Sequence, residues 1–235
     1  MIFAGIDDTD VIDSPGTNQL AKSLATHLAD RFNCRLILRH QLLVDERVPY
    51  TSKNSSATLL LSPVDAEPRH LDELFEEIAT IVQNSSADGS DPGLCMGRNV
   101  PSLVTSFGLR CKTALCTQQE ARDLAEAGGL LLTGLGGTED GVIGAVAAVG
   151  LAASGDDGRV VMIDGHDDLS GICQITDLHK RRVKVRCHEG GQAISQGRID
   201  IGKHLRPNLR NHAIVQHAVK DAGRAADLWK AVRLP

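Results

Sequence analysis

Ile2-Phe3-Ala4-Gly5-Ile6-Asp7-Asp8-Thr9-Asp10 is the stretch on which the fold turns. A short apolar run stops abruptly at three carboxylates. The run reads as a buried strand and the acidic residues as the loop at its carboxyl end, where ligands gather in layered α/β proteins. From Thr17 the pattern changes. Leu20, Leu24, Leu28 and Phe32 recur every four residues, which predicts a helix capped by Ser14-Pro15 or Thr17. Strands are expected near 34–44 and 57–61, with a helix over 69–83. Residues 84–99, rich in Gly, Ser and Asp, read as a long loop. Helices follow from about 101 and from Thr117, where Thr117 and Glu120 form a capping box. Leu130-Leu131-Leu132 leads into a glycine-rich turn and a helix of small residues over 140–153.

Beyond Gly155 the style is different. Short β-like runs at 159–163, 172–175, 183–187 and 212–219 alternate with turns. The expected architecture is mixed α/β: a catalytic layer over 1–155 and a smaller, strand-rich region over 156–235.

The 235 residues suffice for a sizeable core, and 42% hydrophobic with 23% charged residues is ordinary for a globular chain. Aromatics are only 3% and net charge is -5, which argues against a dedicated single-strand nucleic-acid binder. Between residues 178 and 210, however, nine Lys and Arg residues face only Glu189 and Asp200. Such a tract suits a phosphorylated substrate as well as it suits a solvated surface. The amino terminus resembles no secretory signal and no segment has the length of a bilayer span, so a cytoplasmic protein is expected. Six scattered cysteines without a Cys-x-x-Cys pair argue against a zinc ribbon.

Two motifs carry chemistry. Asp7, Asp8 and Asp10 repel one another unless a cation sits among them, and Mg2+ would serve, since it takes carboxylates together with nucleotide phosphates. A solvated capping turn would explain one aspartate better than three. The second motif, Thr133-Gly134-Leu135-Gly136-Gly137-Thr138-Glu139-Asp140-Gly141-Val142-Ile143-Gly144, opens the small-residue helix. Glycines before a helix amino terminus let phosphate approach backbone amides, so Gly136, Gly137, Gly141 and Gly144 are candidate nucleotide contacts. It is not a Walker loop, and a tight packing turn would share its composition.

Gly5 to Asp10, followed by Gly16-Thr17-Asn18-Gln19-Leu20-Ala21, resembles the opening of the archaeal agmatidine synthetase (TiaS) family. Val48-Pro49-Tyr50 with Lys53-Asn54, Asp91-Pro92-Gly93 and Gly141 to Gly150 resemble later family segments in the same order. The resemblance covers about residues 1–155, the kinase-like catalytic part without the OB-fold and zinc ribbon. It implies ATP-dependent activation of a tRNA cytidine oxygen, followed by agmatine attack. It also implies Mg2+ and phosphate binding at Asp7, Asp8 and Asp10, phosphate acceptance at Thr17, and nucleotide contacts from Lys53 and Asn54. This sequence departs from the pattern in its longer link Val11-Ile12-Asp13-Ser14-Pro15 and in Asn18, where the family has a second threonine.

These readings converge on an ATP- and Mg2+-dependent phosphotransferase or ligase that activates an acceptor oxygen. The acceptor would be a phosphorylated small molecule, or a tRNA delivered by a separate RNA-binding subunit. A nucleotide-binding regulatory protein without turnover is the rival from another class.

Overall fold

The computed structural model describes residues 1–48, 54–65, 70–220 and 227–234. It confirms a mixed α/β fold built on a twelve-stranded sheet. In chain order the elements are β1 (Ile2–Asp7), α1 (Thr17–His27), β2 (Phe32–Gln41), β3 (Ser55–Pro63), α2 (Leu71–Ser85), β4 (Gly93–Gly97), α3 (Ser102–Arg110), α4 (Gln118–Ala127), β5 (Leu131–Gly134) and α5 (Gly141–Ser154). Then come β6 (Arg159–Ile163), β7 (Ile172–Gln174), α6 (Ile175–Lys180), β8 (Val183–Cys187), β9 (Arg198–Asp200), β10 (Asn208–Arg210), β11 (Ala213–Lys220) and β12 (Leu228–Val232).

The opening strand is central, between β3 and β4, with antiparallel partners on both sides. That placement explains its sequence. Ile2, Ala4 and Ile6 face one side and are fully buried against Leu20, Leu24 and Ala21 of α1 and Ile78 of α2. The opposite face meets α5, whose surface is buried almost all round. Small residues make that possible: Ala and Gly let the helix lie close on the sheet, and α3 packs on its outer side through Val104 and Phe107.

The helix at Thr117 starts as its sequence predicts. The Thr117 hydroxyl accepts from the Glu120 amide and the Glu120 carboxylate accepts from the Thr117 amide. The expected loop over 84–99 is corrected: its second half is strand β4, fully buried between β1 and β5. Short, glycine-flanked and buried on both faces, Gly-Leu-Cys-Met-Gly has no alternation to betray it.

The sheet order is β5-β4-β1-β3-β2-β6-β10-β11-β12-β9-β7, with β8 beside β11. The first strand beyond residue 155, β6, pairs with β2. Its onward joint to β10 is a single register pair, Arg159 with Asn208. Past that joint a second core gathers around Ile175, Leu178, Val183, Val185 and Ile199. Three short strands there, β9, β10 and β12, and the helix α6 were not anticipated. No helix among the described residues is long and apolar enough to cross a membrane.

Candidate active site

The site lies at the carboxyl end of β1. A cavity of about 230 Å³ is bounded there by the acidic loop, the start of α1, the first turn of α5, the end of β2 and the turn after α3. Asp7, Asp8, Asp10, Thr17, Asn54 and Gly144 all line it. The structure therefore brings together residues that are far apart in the chain. Gly136, Gly137 and Gly141 do not line it, and Lys53 lies outside the described residues.

Glycine at two positions is what lets α5 reach the strand ends. A Cβ on Gly141 would overlap the Asp91 carbonyl and the Gly93 amide nitrogen. A Cβ on Gly144 would overlap Oδ2 of Asp7. The Asp7 carboxylate therefore rests on the helix backbone within its first turn. Gly136 and Gly137 serve the turn instead. Asp91 accepts from the Thr138 amide at 2.6 Å and from the Thr138 hydroxyl at 3.0 Å, and Gly137 passes over it with φ +58°.

The electrostatics are those of a crowded anionic site. Burial pushes the Asp7 carboxyl from its ordinary 3.8 to about 8, with the charges of Asp8 and Asp10 adding to it. Burial also pushes Asp8 to about 6, and Asp91, Asp10 and Asp140 contribute. Asp8 holds a left-handed backbone, φ 51°, uncommon for a residue with a side chain. Without a cation beside it, Asp7 carries its proton at neutral pH.

Asp10 has a different role from its neighbours. It accepts the Thr17 hydroxyl at 2.8 Å, while the buried Thr9 hydroxyl donates to Thr17 Oγ at 3.1 Å. Thr17 therefore presents an oxygen in the cavity whose proton points at a carboxylate. Among the described residues no group of three His, Cys, Asp or Glu side chains converges to hold a metal. This departs from the expectation of three aspartate ligands on one ion. Asp7 and Asp8 still suit Mg2+, which takes one or two carboxylates and fills its sphere with water and phosphate oxygens.

Several lining residues were not singled out from the sequence. Asp140 immediately precedes α5, its carboxylate accepting from the Gln118 side-chain amide at 2.6 Å, and Arg47 is paired with Asp45 at 2.7 Å. Leu42, Leu43, Ile143 and Leu115 give the cavity an apolar wall. Cys111 and Cys116 complete that side, and burial pushes the Cys111 thiol far up, which keeps it uncharged. Asp140 lies inside the glycine motif and could have been noticed there. Ile143 lies there too, on α5, and the others come from segments with no chemical signature.

No protein-family model matches the chain, and no curated protein matches it. Among solved structures its fold is similar to that of a tRNA fluorescent labelling enzyme, with 19% identity, 63% of this chain and 35% of that chain covered, and a TM-score of 0.53. It is similar to apo TiaS, a tRNAIle2 agmatidine synthetase, with 18% identity, the same coverage and a TM-score of 0.53. It is also similar to TiaS in complex with tRNA(Ile2) and ATP, with 19% identity, 63% and 36% coverage, and a TM-score of 0.51. This chain spans 35–36% of the length of these proteins. At such identity the likeness is one of fold, and the shared fold is that of TiaS.

Proposed function

We propose that the chain is an ATP-dependent phosphoryl-transfer enzyme that activates an acceptor oxygen in the cavity at the end of β1. The observation that carries this reading is the pairing of two half-buried carboxyls of raised proton affinity, Asp7 and Asp8, with a threonine hydroxyl held on Asp10 in one cavity. Such carboxylates are unstable as a purely structural device, because each charge opposes the next. They become useful where a phosphate-bound cation is to be received. Solved TiaS structures of the same fold contain ATP or its analogue AMPCPP, which supports a nucleotide as a ligand.

Asp7 and Asp8 would hold Mg2+, which supplies neutralisation of phosphate charge. The chain itself does the positioning. Gly144 leaves room for the Asp7 carboxylate under α5, and the helix amino terminus adds positive potential where phosphate would sit. The apolar wall from Leu42 to Leu115 excludes water from the transfer, which otherwise ends in hydrolysis. Asp10 orients the Thr17 hydroxyl and stands within proton-transfer distance of it, so Thr17 is the candidate in-chain phosphate acceptor. Asn54, which donates to the Leu43 carbonyl at 2.8 Å, fixes the opposite lip.

A second reading keeps the chemistry and changes the acceptor. Two of the neighbours of like fold are complexes with tRNA, so a tRNA brought by another subunit is a rival acceptor. The test is to incubate the protein with γ-labelled ATP, Mg2+ and separate pools of phosphorylated metabolites and tRNA. Label in a small molecule supports the first reading, and labelling or ATP consumption that depends on tRNA supports the second. Nucleotide binding without turnover in any pool would leave a regulatory protein.

A further inference from the structure

Two strands away from the acidic loop lies an arrangement of opposite sign. Arg39 on β2 and Arg159 on β6 are register partners, so their side chains leave the sheet side by side. Arg39 is only 7% exposed, and its one polar partner among the described residues is Gln41, reached at 3.0 Å. Arg159 is half-buried, and its side chain makes no hydrogen bond or ion pair among the described residues. Arg206 lies beside them. Its guanidinium donates to the carbonyl of Val161, two residues along β6, at 3.3 Å. Arg206 is bound to Asp167, but that carboxylate is shared with Lys22 of α1 at 2.5 Å. The local excess of positive charge is therefore not cancelled.

Guanidinium groups do not shed their protons in proteins, so adjacent buried ones are held at a cost in desolvation and repulsion. Burial and the charge of Arg159 lower the Arg39 pKa. Burial and the charges of Arg206 and Arg233 lower that of Arg159. A fold gains nothing from such a pair unless an anion meets it. The pair is also connected to the candidate active site. Gln41, which holds Arg39, is the register partner of Ser55, and Ser55 lines the cavity. With strands about 4.8 Å apart and a rise of about 3.4 Å per residue, two strands across and two residues along put Arg159 roughly 12 Å from Ser55 over the sheet.

We propose that Arg39 and Arg159, with Arg206 beside them, form a subsite for the terminal phosphate of a small phosphate-monoester acceptor whose reacting oxygen lies in the cavity. The inference rests on the phosphoryl-transfer reading for the reacting end, but the anion site stands on its own geometry. Planar guanidinium forks suit a dianionic phosphoryl group, which each can grip through two N–H bonds. The burial of Arg39 favours a terminal group over a continuous nucleic-acid backbone. So does the acidic loop next door, which would repel a polyanion crossing it.

The experiment is calorimetric titration of the whole protein with glycerol 3-phosphate, with inorganic phosphate and with a short single-stranded oligonucleotide, and separately with MgATP. The expected result is saturable binding of glycerol 3-phosphate that weakens at least tenfold in Arg159→Gln and in Arg39→Gln, while MgATP affinity in Arg159→Gln stays within twofold of wild type. Should Arg39→Gln fail to fold, Arg159→Gln, on a more exposed side chain, carries the test alone. Undetectable binding of both small phosphates to wild type, or equal affinity in wild type and Arg159→Gln, overturns the subsite. Parallel loss of MgATP affinity overturns it too, by giving the arginines to the nucleotide. Tighter oligonucleotide binding that Arg159→Gln abolishes overturns the small-molecule assignment in favour of nucleic acid. Failure of wild type to bind MgATP, with monoester binding intact, removes the phosphoryl-transfer reading and leaves the anion site standing.

Discussion

The carboxylate of Asp7 rests directly on Gly144, in a space that any β-carbon at that position would fill. Strand end and helix start are thereby locked into one unit, and the acid cannot be moved without moving α5. Gly144→Ala should therefore displace Asp7, destabilise the fold by about 1–3 kcal/mol through overpacking, and reduce ATP turnover by more than that loss explains. Melting curves and turnover measured well below the melting temperature check this. Unchanged turnover in a folded variant would show that the contact serves packing only.

Asp7 also makes a pH prediction. Its folded pKa lies above its unfolded value, so between about pH 4 and about pH 8 the folded state keeps a proton that the unfolded state has lost. The contribution of Asp7 to stability is therefore greatest below pH 4 and declines as pH rises to 8. Asp8 acts in the same direction up to about pH 6. Asp7→Asn removes the decline. The variant should melt higher than wild type at pH 8 and close to wild type at pH 4. Carboxylates held low by partners, such as Asp167, act oppositely but cancel in the comparison.

How far the sequence revealed this site depends on how local each feature is. The strand ending in Asp7 and Asp8, the helix from Thr17 and the capping box at Thr117 are written in neighbouring residues, and the structure has them where the patterns place them. Strand β4 is hidden because glycine at both ends and burial on both faces erase its periodicity. Strands β9 and β12 are short and pair in parallel with each other across some 30 residues of chain, besides their antiparallel partners β7 and β11, and no local window contains those pairings together. Arg47, Cys111 and Cys116 reach the cavity from loops that only tertiary folding brings there. The hydrogen bond from Thr17 to Asp10 could not be seen either, since spacing alone cannot say which way a side chain turns.

The hydroxyl chain from Thr9 through Thr17 to Asp10 predicts an asymmetric response at Thr17. Thr17→Ser keeps the oxygen and should retain most activity. Thr17→Val keeps the shape, removes both bonds, and should lose about 1 kcal/mol of stability together with any label that ATP leaves on the protein. Mass spectrometry of the protein after incubation with ATP reads that label directly. Equal labelling of wild type and Thr17→Val would place the phosphate elsewhere.

Asp91 predicts an effect on both turn and acid. It anchors the Thr138 amide and hydroxyl, and its charge helps to raise Asp8. Asp91→Ala should lower the Asp8 pKa and destabilise the glycine-rich turn by about 1–3 kcal/mol. Carboxyl titration by nuclear magnetic resonance, with amide exchange at residues 136–141, follows the two effects separately. A released turn with an unmoved Asp8 would contradict the electrostatic part.

The central claim is that Asp7 and Asp8 receive a cation-bound triphosphate. Because both carboxyls retain protons above their usual range, binding of MgATP must expel protons. Calorimetric titration of wild type with MgATP at pH 7, in buffers of different ionisation enthalpy, counts them. The account predicts net release of protons on binding, falling toward zero at pH 9 and in the Asp7→Asn, Asp8→Asn double variant. Binding of ATP with no proton release, or with equal affinity in the presence and absence of Mg2+, would contradict it.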